Sequence, residues 1–505
     1  MIVMSIGVTM LCAICALGQG GVDPTIPDVP DQKKDEKQDA DRSGTKNINI
    51  DMQLTYGLYN NMFSTISLSH EQDNFVYLLS SQFTRSNDYG YGGKIYSNTG
   101  YYENKIGFTG NLNVRDGWKT LFEGAVDNES HGMYTNPVYS VEEKEKYSLS
   151  VKNTMRSFSS FEWFASLNAV GFTHRLAGRN LDDNEKTSLT QFQGELGGEN
   201  IFSATNRIRV NITGTWYRYS ADGAADDRYA RGEVIDDFKV TNFFGVSMGI
   251  NGAWSRDGGV LKIGRTPKTS TMPRVPIPVN PIIGLNFYAG NSVTASVLYR
   301  HDLEIFRAEE LYFNQKYVFP QYTLPPTRSH SGEAKIDIKG SDYFQIRGDC
   351  VAKHSVDFYN YAADSANVLR VRTIDVNSLN AKCDGIISVP ESGMQLSVGY
   401  EYNYFKAREY ITYKASHSIN SSLRFSTKVW NIEWSNKYSS RVYTNPGSTS
   451  KLPNSVIGFL GAQLQMINGL FSYLRIENLY NNKYYLRDGY PEAGVTVLAG
   501  LRILL

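Results

Sequence analysis

The sequence predicts an all-β, transmembrane antiparallel β-barrel of about 22 strands. Three observations carry that expectation. Apolar and polar residues alternate with a period of two along several long runs. Tight glycine-containing turns alternate with longer polar connections, and aromatic residues gather near the ends of the runs. Side chains along a strand point to opposite faces in turn, so a period of two is the mark of a sheet.

Composition narrows the alternatives. The chain has 505 residues, with 51 Lys and Arg against 51 Asp and Glu, so its formal net charge is zero. That balance excludes a strongly basic nucleic-acid binder and an acidic solvating chain. Four cysteines exclude a disulfide-dense scaffold. A mean hydropathy below zero argues against a bundle of membrane helices. Length alone would suggest three or four domains, but an aromatic content of 13 %, led by 34 tyrosines, together with 44 glycines, favours β structure throughout.

Residues 1–18 read as a signal peptide. Met1 to Leu17 is an almost unbroken apolar run, short for a spanning helix, which needs about 20 residues. Ala16-Leu17-Gly18 has the small-x-small form of a cleavage site. No Lys or Arg precedes the run, so a retained N-terminal anchor is the alternative. Cys12 and Cys15 follow Leu11 and Ile14, not the small residue that lipid attachment would need. Residues 19–46 then carry Pro24, Pro27, Pro30 and mixed charges without an aromatic residue. Such a stretch buries too little apolar surface to offset its ordering entropy. It is expected to be a disordered leader, with a docking tail as the other reading.

The barrel is expected over 47–505. Alternation is clean over 105–115, 208–217, 244–255, 394–403 and 495–505. In the first run Ile106, Phe108, Leu112 and Val114 oppose Lys105, Asn111, Asn113 and Arg115. Runs of this length suit a tilted strand crossing a bilayer, about 9–11 residues. In a soluble sandwich the apolar face would fill a core; in a membrane barrel it would meet lipid while the polar face lines the lumen. Alternation alone does not separate the two.

Turns and aromatics favour the barrel. Asp116-Gly117, Asp257-Gly258 and Asn468-Gly469 are tight hairpin signals. Longer polar connections are expected at 127–146, 221–237 and 267–281. Short turns at one rim and long loops at the other are the outer-membrane pattern. Trp216, Tyr217, Tyr219, Trp254, Tyr400, Tyr402 and Tyr404 stand near run ends, as interfacial girdles would. The Pro-containing stretches 267–281 and 320–326 cannot form central ladder. They are loops, either extended at the surface or folded into the lumen.

No motif for catalysis, cofactor or metal binding emerges. The histidines, at 70, 131, 174, 301, 330, 354 and 417, show no ligand spacing. His330 and His354 read as loop or wall residues. Gly197-Gly198 and Gly258-Gly259 read as turn glycines, and Asp226-Asp227 and Asp236-Asp237 as solvated loop charges. Cys350 and Cys383 flank a turn-like stretch near residue 366. Hairpin symmetry would set them roughly opposite one another, giving a cross-strand disulfide; two separate thiols are the alternative, because a one-residue slip separates them onto opposite faces.

Three blocks resemble the TonB-dependent outer-membrane receptor family. At the C-terminus, Asn478, Leu479, Tyr484 and Tyr485 are followed by Gly489, Tyr490, Pro491 and Gly494 and then by the last alternating run. That order and spacing is similar to the family's barrel ending. Residues 306–312 with 324–329, and residues 56–61, resemble a mid-barrel element and the first hairpin. The resemblance covers the barrel only. A family plug exceeds a hundred residues, whereas residues 19–46 hold only the polar leader, with no energy-coupling box. Val495 and Leu505 stand where the family pattern has an arginine and a terminal aromatic.

The resemblance implies a bacterial outer-membrane transport protein, not an enzyme, passing or taking up small solutes through a barrel that lacks its own plug. Its expected partners are outer-membrane lipid, the barrel-assembly machinery, an unidentified small solute, and a separate plug or periplasmic protein. The alternative is a structural or surface-interaction barrel with a closed lumen, binding a partner through its long loops.

Overall fold

The computed structural model describes residues 47–505 except 73, 92–93, 135, 158–159, 181–183, 204, 221–224, 256–279, 291, 305–310, 312–315, 320–323, 325–326, 341–342 and 366–367. Segments 1–18 and 19–46 lie outside the described residues, as do Asp257, Gly258, Gly259 and most of 267–281.

Twenty-two strands form the wall. They are β1 (Asn47–Gly57), β2 (Met62–Gln72), β3 (Phe75–Ser86), β4 (Tyr101–Arg115), β5 (Trp118–Gly132), β6 (Tyr139–Ser157), β7 (Phe161–Gly178), β8 (Glu185–Ser203), β9 (Asn206–Ser220), β10 (Ala225–Lys239) and β11 (Phe244–Ser255). The second half comprises β12 (Asn280–Ala289), β13 (Val293–Glu304), β14 (Thr327–Gly340), β15 (Phe344–Ala363), β16 (Leu369–Val389), β17 (Met394–Ala407), β18 (His417–Ser426), β19 (Trp430–Ser439), β20 (Ser455–Ile467), β21 (Leu470–Glu477) and β22 (Thr496–Leu504). Each pairs antiparallel with the next, and β22 returns to β1 with Gly500 opposite Thr55. On the inner face of that seam the Arg502 guanidinium donates to both Asp51 oxygens, at 3.0 and 2.7 Å. Closure removes every free edge from the wall.

The five alternating runs fall on β4, β9, β11, β17 and β22. Their apolar faces point outward: Ile106, Ile212, Met248, Leu396 and Leu501 are all exposed. This is the orientation of a membrane wall, the reverse of a soluble core. The upper limit of the apolar belt can be read on β6. Going down the strand, its outward residues change from Glu143 and Glu145 to Tyr147, Leu149 and Val151. Glu143 forms an ion pair with Arg175 of β7 at 3.5 Å. Charges of this kind are costly against hydrocarbon, so the wall above Tyr147 stands clear of the bilayer.

Tight turns occupy the rim where Asn47 and Leu504 lie. Asp116-Gly117 joins β4 to β5 and Asn468-Gly469 joins β20 to β21, with φ of 76° at Gly117 and 78° at Gly469. A side chain on Gly469 would place its Cβ 2.4 Å from the Leu504 carbonyl oxygen, so the turn needs glycine twice over. Longer connections gather at the opposite rim, but two are shorter than the sequence suggests. The expected connection 127–146 is mostly ladder: β5 continues to Gly132 and β6 starts at Tyr139. Likewise β10 starts at Ala225, inside the expected 221–237 connection. Above the bilayer both faces of a strand meet polar surroundings, so the strand persists while the alternation that reveals it disappears. Asn251 pairs with Asn280, so the hairpin between β11 and β12 is not centred on Asp257-Gly258.

Other local readings change for similar reasons. Gly197 and Gly198 lie inside β8, not in a turn. A Cβ on Gly197 would meet the Phe164 ring at 2.5 Å, so the glycine makes room for that cross-strand ring. Asp236 and Asp237 lie in β10, and Asp237 takes hydrogen bonds from Arg209 at 2.7 and 3.0 Å and from Ser247 at 2.6 Å. Pro281 is the second residue of β12, where a missing N–H is tolerated.

Cys350 and Cys383 do share a hairpin and a face, but not a rung. Cys350 pairs with Ala381 and Cys383 with Gly348, and both thiols are free. A register shift between Ser355 and Phe358 displaces the lower ladder from the symmetry of the turn. Diagonal neighbours stand about 7–8 Å apart, too far for a bond that brings Cβ atoms to about 3.5–4.5 Å. Alkylation and mass spectrometry without reductant are expected to label both residues; a bridged peptide would mean that this ladder is misregistered.

Candidate functional site

The candidate site is the mouth at the long-loop rim. Above the bilayer, β6 carries Glu142 and Lys144 on its inward face, with His174 of β7 directly opposite Lys144. All three side chains are fully buried. A buried carboxylate must be fully partnered to survive the loss of water. Here both oxygens of Glu142 accept the backbone N–H of Tyr317, at 3.1 and 2.9 Å. His174 Nε2 lies 2.8 Å from Glu142 Oε1, and the Lys144 ammonium 3.6 Å from it. Burial alone would raise Glu142, but Lys144 and His174 outweigh it and hold the carboxyl at about 2. Burial pushes His174 below its ordinary value despite Glu142, so its neutral ring donates from Nε2. Among the described residues, His174 Nδ1 has no hydrogen-bond partner.

Tyr317 belongs to the connection between β13 and β14, and it brings that connection inward. The next two residues, Val318–Phe319, pair in parallel with Leu369 and Arg370 of β16. The segment is therefore held by β6 at one end and by β16 at the other. The two walls also meet directly. Arg370 of β16 lies 3.4 Å from Glu185 of β8, eight strands away around the barrel. The same guanidinium stacks 4.4 Å over the Phe319 ring and pairs with Asp364 at 2.9 Å. A wall this wide cannot be filled by its own side chains; only inward bending and an inserted segment allow these contacts.

Apolar packing completes the closure. One buried cluster joins Phe172, Leu189 and Tyr217 of one wall to Val318, Leu324 and Val371. A second joins Met133 and Leu176 to Tyr317, Phe319 and Tyr490. Leu324 places one residue of the 320–326 stretch inside the mouth; its other Pro-containing positions lie outside the described residues. The girdle expectation divides here. Trp216 faces outward and stacks on Phe192 at 5.3 Å, and Trp254 and Tyr404 are exposed. Tyr217 and Tyr219 take the opposite parity and are 1 % and 2 % exposed, inside the mouth cluster.

The C-terminal block builds another part of the mouth. Asn478, in left-handed backbone at φ 47°, donates to the carbonyls of Asn482 and Ala493 at 2.8 and 3.0 Å and closes the base of the connection between β21 and β22. The Leu479 N–H bonds Gly458, the Tyr484 carbonyl accepts from Glu492, and the Gly494 N–H bonds Gly90. Tyr485 pairs with Pro491, and Gly489 supplies a φ of 81° between them. This presents Tyr490, whose ring stacks on Tyr317 at 4.0 Å and whose hydroxyl accepts from Asn136 at 3.2 Å. In this structure, the block positions the inserted segment.

Beside Glu142, the fold assembles a carboxylate trio that sequence spacing does not reveal. Glu103, Asp127 and Glu129 bring oxygens within 4.8 Å of one another. The Lys105 ammonium contacts Glu103 and lies 3.7 Å from Asp127, while His131 lies 3.1 Å from Glu129. A cation already compensates this cluster. Deeper in the lumen, charges again occur as opposite neighbours: Arg231 with Asp302 at 2.9 Å, Arg300 with Glu333 at 3.1 Å, and Arg424 with Glu433 at 3.2 Å. The inner wall is polar without one dominant sign.

The closed 22-strand wall superposes on known structures. OprC, a copper transporter, superposes with a TM-score of 0.69 at 10 % identity, over 92 % of this chain and 81 % of its own. The FrpB iron transporter from Neisseria meningitidis, F3-3 variant, gives 0.70 at 10 % identity, over 91 % and 82 %. This is the barrel fold of the TonB-dependent receptors. The siderophore receptor PirA from Acinetobacter baumannii shares it, at 0.67 and 10 % identity over 92 % and 81 %. No family model and no curated protein matches the sequence. Identities this low carry the receptor barrel's architecture alone.

Proposed function

We propose that this protein is an outer-membrane transport barrel that passes or takes up small solutes, with a mouth closed at rest by the segment around Tyr317. The supporting observation is the pairing of a polar, charge-compensated lumen with a mouth packed from wall to wall. The bilayer belt and the receptor-type fold support residence in the bacterial outer membrane, reached through the barrel-assembly machinery. A separate plug or periplasmic protein is a further proposed partner of the barrel.

Purified protein in planar bilayers tests this reading. The expected record is stable insertion with a low resting conductance and little preference between cations and anions, because inward charges of both signs adjoin. Silence that persists after the mouth contacts are weakened would overturn transport. It would favour the second reading, which the packed mouth also supports: a closed barrel whose outer loops bind a partner.

A further inference from the structure

Three of the seven histidines form one row across neighbouring strands. His301 of β13 pairs directly with His330 of β14, which pairs directly with His354 of β15. They share the outward parity with exposed Tyr299, two rungs below His301, and with Arg328, two residues above His330. Arg328 pairs with Asp357 at 3.5 Å, and such a charge is costly against hydrocarbon. The row therefore sits at the extracellular interface, reachable from water. No sequence spacing announces it, because the intervals are set by hairpin register.

The His301 and His330 rings lie with centroids 4.5 Å apart and planes at 55°. The Tyr299 hydroxyl, on the same strand as His301, lies 3.1 Å from His330 Nδ1 and orients that ring. A metal about 2.0–2.1 Å from an imidazole nitrogen lies about 3.2 Å from the ring centre. Two such rings at right angles about one ion have centres about 4.5 Å apart, the cis arrangement of square-planar or octahedral coordination. His354 differs: its Nδ1 is 2.8 Å from Asn377 Oδ1, and it faces His330 from the side away from His301.

We propose that His301 and His330 form a two-imidazole site for a divalent late transition metal of the Cu(II) or Ni(II) class, on the outer wall at the extracellular interface. Water fills the remaining positions. Because the ligands come from adjacent strands, the ion clamps β13 to β14 and favours the folded barrel, which alone holds the two rings together.

Untagged barrel in detergent, stripped with chelator, is titrated with NiCl2 or CuCl2 by calorimetry. One equivalent is expected to bind, with a rise in the thermal unfolding midpoint. His301→Asn and His330→Asn are each expected to weaken binding at least about tenfold, and His354→Asn to leave it unchanged. All three positions face outward and are replaced by a polar residue, so heat-modifiable migration serves as the folding control. No binding by the wild type, or equal binding by the H301N/H330N double variant, would refute the site. Equal losses in all three single variants would show non-specific histidine binding and refute it too.

Discussion

Replacing Glu142 by glutamine is expected to raise the conductance of the barrel in planar bilayers several-fold. Glu142 is fully buried and accepts the Tyr317 N–H with both oxygens, while facing Lys144 and His174. Glutamine keeps the shape, but it offers one acceptor oxygen in place of two and removes the charge beside a buried ammonium. Removing one partner of a buried pair costs about 3–5 kcal/mol. If only about 1.4 kcal/mol of that falls on the balance between closed and open mouths, the balance shifts tenfold. The inserted segment bears the loss, because its hold on β6 runs through that carboxylate.

Acid is expected to act in the same direction. Burial holds His174 below the ordinary imidazole value, so the closed mouth binds fewer protons there than an opened, hydrated one. The stabilisation is complete above about pH 6.5 and declines as the pH falls below it. Glu142, opposed by burial but held down to about 2 by Lys144 and His174, adds a second loss as pH falls from about 4.3 toward that value. His131, Lys144 and Arg370 face the same pair, and burial pushes His131 below its ordinary value as well. Wild-type conductance should therefore increase between pH 7 and 5, and His174→Gln should flatten that part of the response. Identical conductance in wild type, E142Q and H174Q at both pH values, with folded migration intact, would remove Glu142 from the closure.

How much of this was legible follows from where lipid touches the wall. The runs around Ile106, Ile212, Met248, Leu396 and Leu501 were readable because lipid on one side and polar lumen on the other impose a period of two. Above Tyr147 that contrast ends. Glu142, Glu143, Lys144, Glu145 and Lys146 are charged on both faces, so a ladder segment looked like a loop. Tyr217 and Tyr219 looked like girdle residues because composition near a strand end does not record parity; their alternation with Trp216 does. The contacts between Glu185 and Arg370 or between Glu142 and Tyr317 join residues more than 170 positions apart. No local period encodes such contacts, since they depend on how far opposite walls lean inward. The His301–His330–His354 row was hidden differently: each residue was visible, but its register was not.

Leu167→Arg is expected to destabilise the barrel by about 2–4 kcal/mol, the cost of a cation facing lipid near the bilayer midplane. Leu167 lies on the outward face of β7, paired with Val151 and Gly194, and is 70 % exposed. It stands four residues from Trp163 toward the tight-turn rim and four from Gly171, the rung of Tyr147. The adjacent residue gives the decisive control. Asn168 faces inward between Ser150 and Gln193, where an arginine projects into a polar lumen. Asn168→Arg should therefore cost less than about 1 kcal/mol. Urea unfolding in detergent or lipid, followed by tryptophan emission, measures both. The comparison tests register more sharply than either variant alone, because a slip of one residue exchanges every inward and outward side chain. A larger loss for N168R than for L167R would reverse the wall, and with it the assignment of lumen and lipid faces on which the mouth and the histidine row depend.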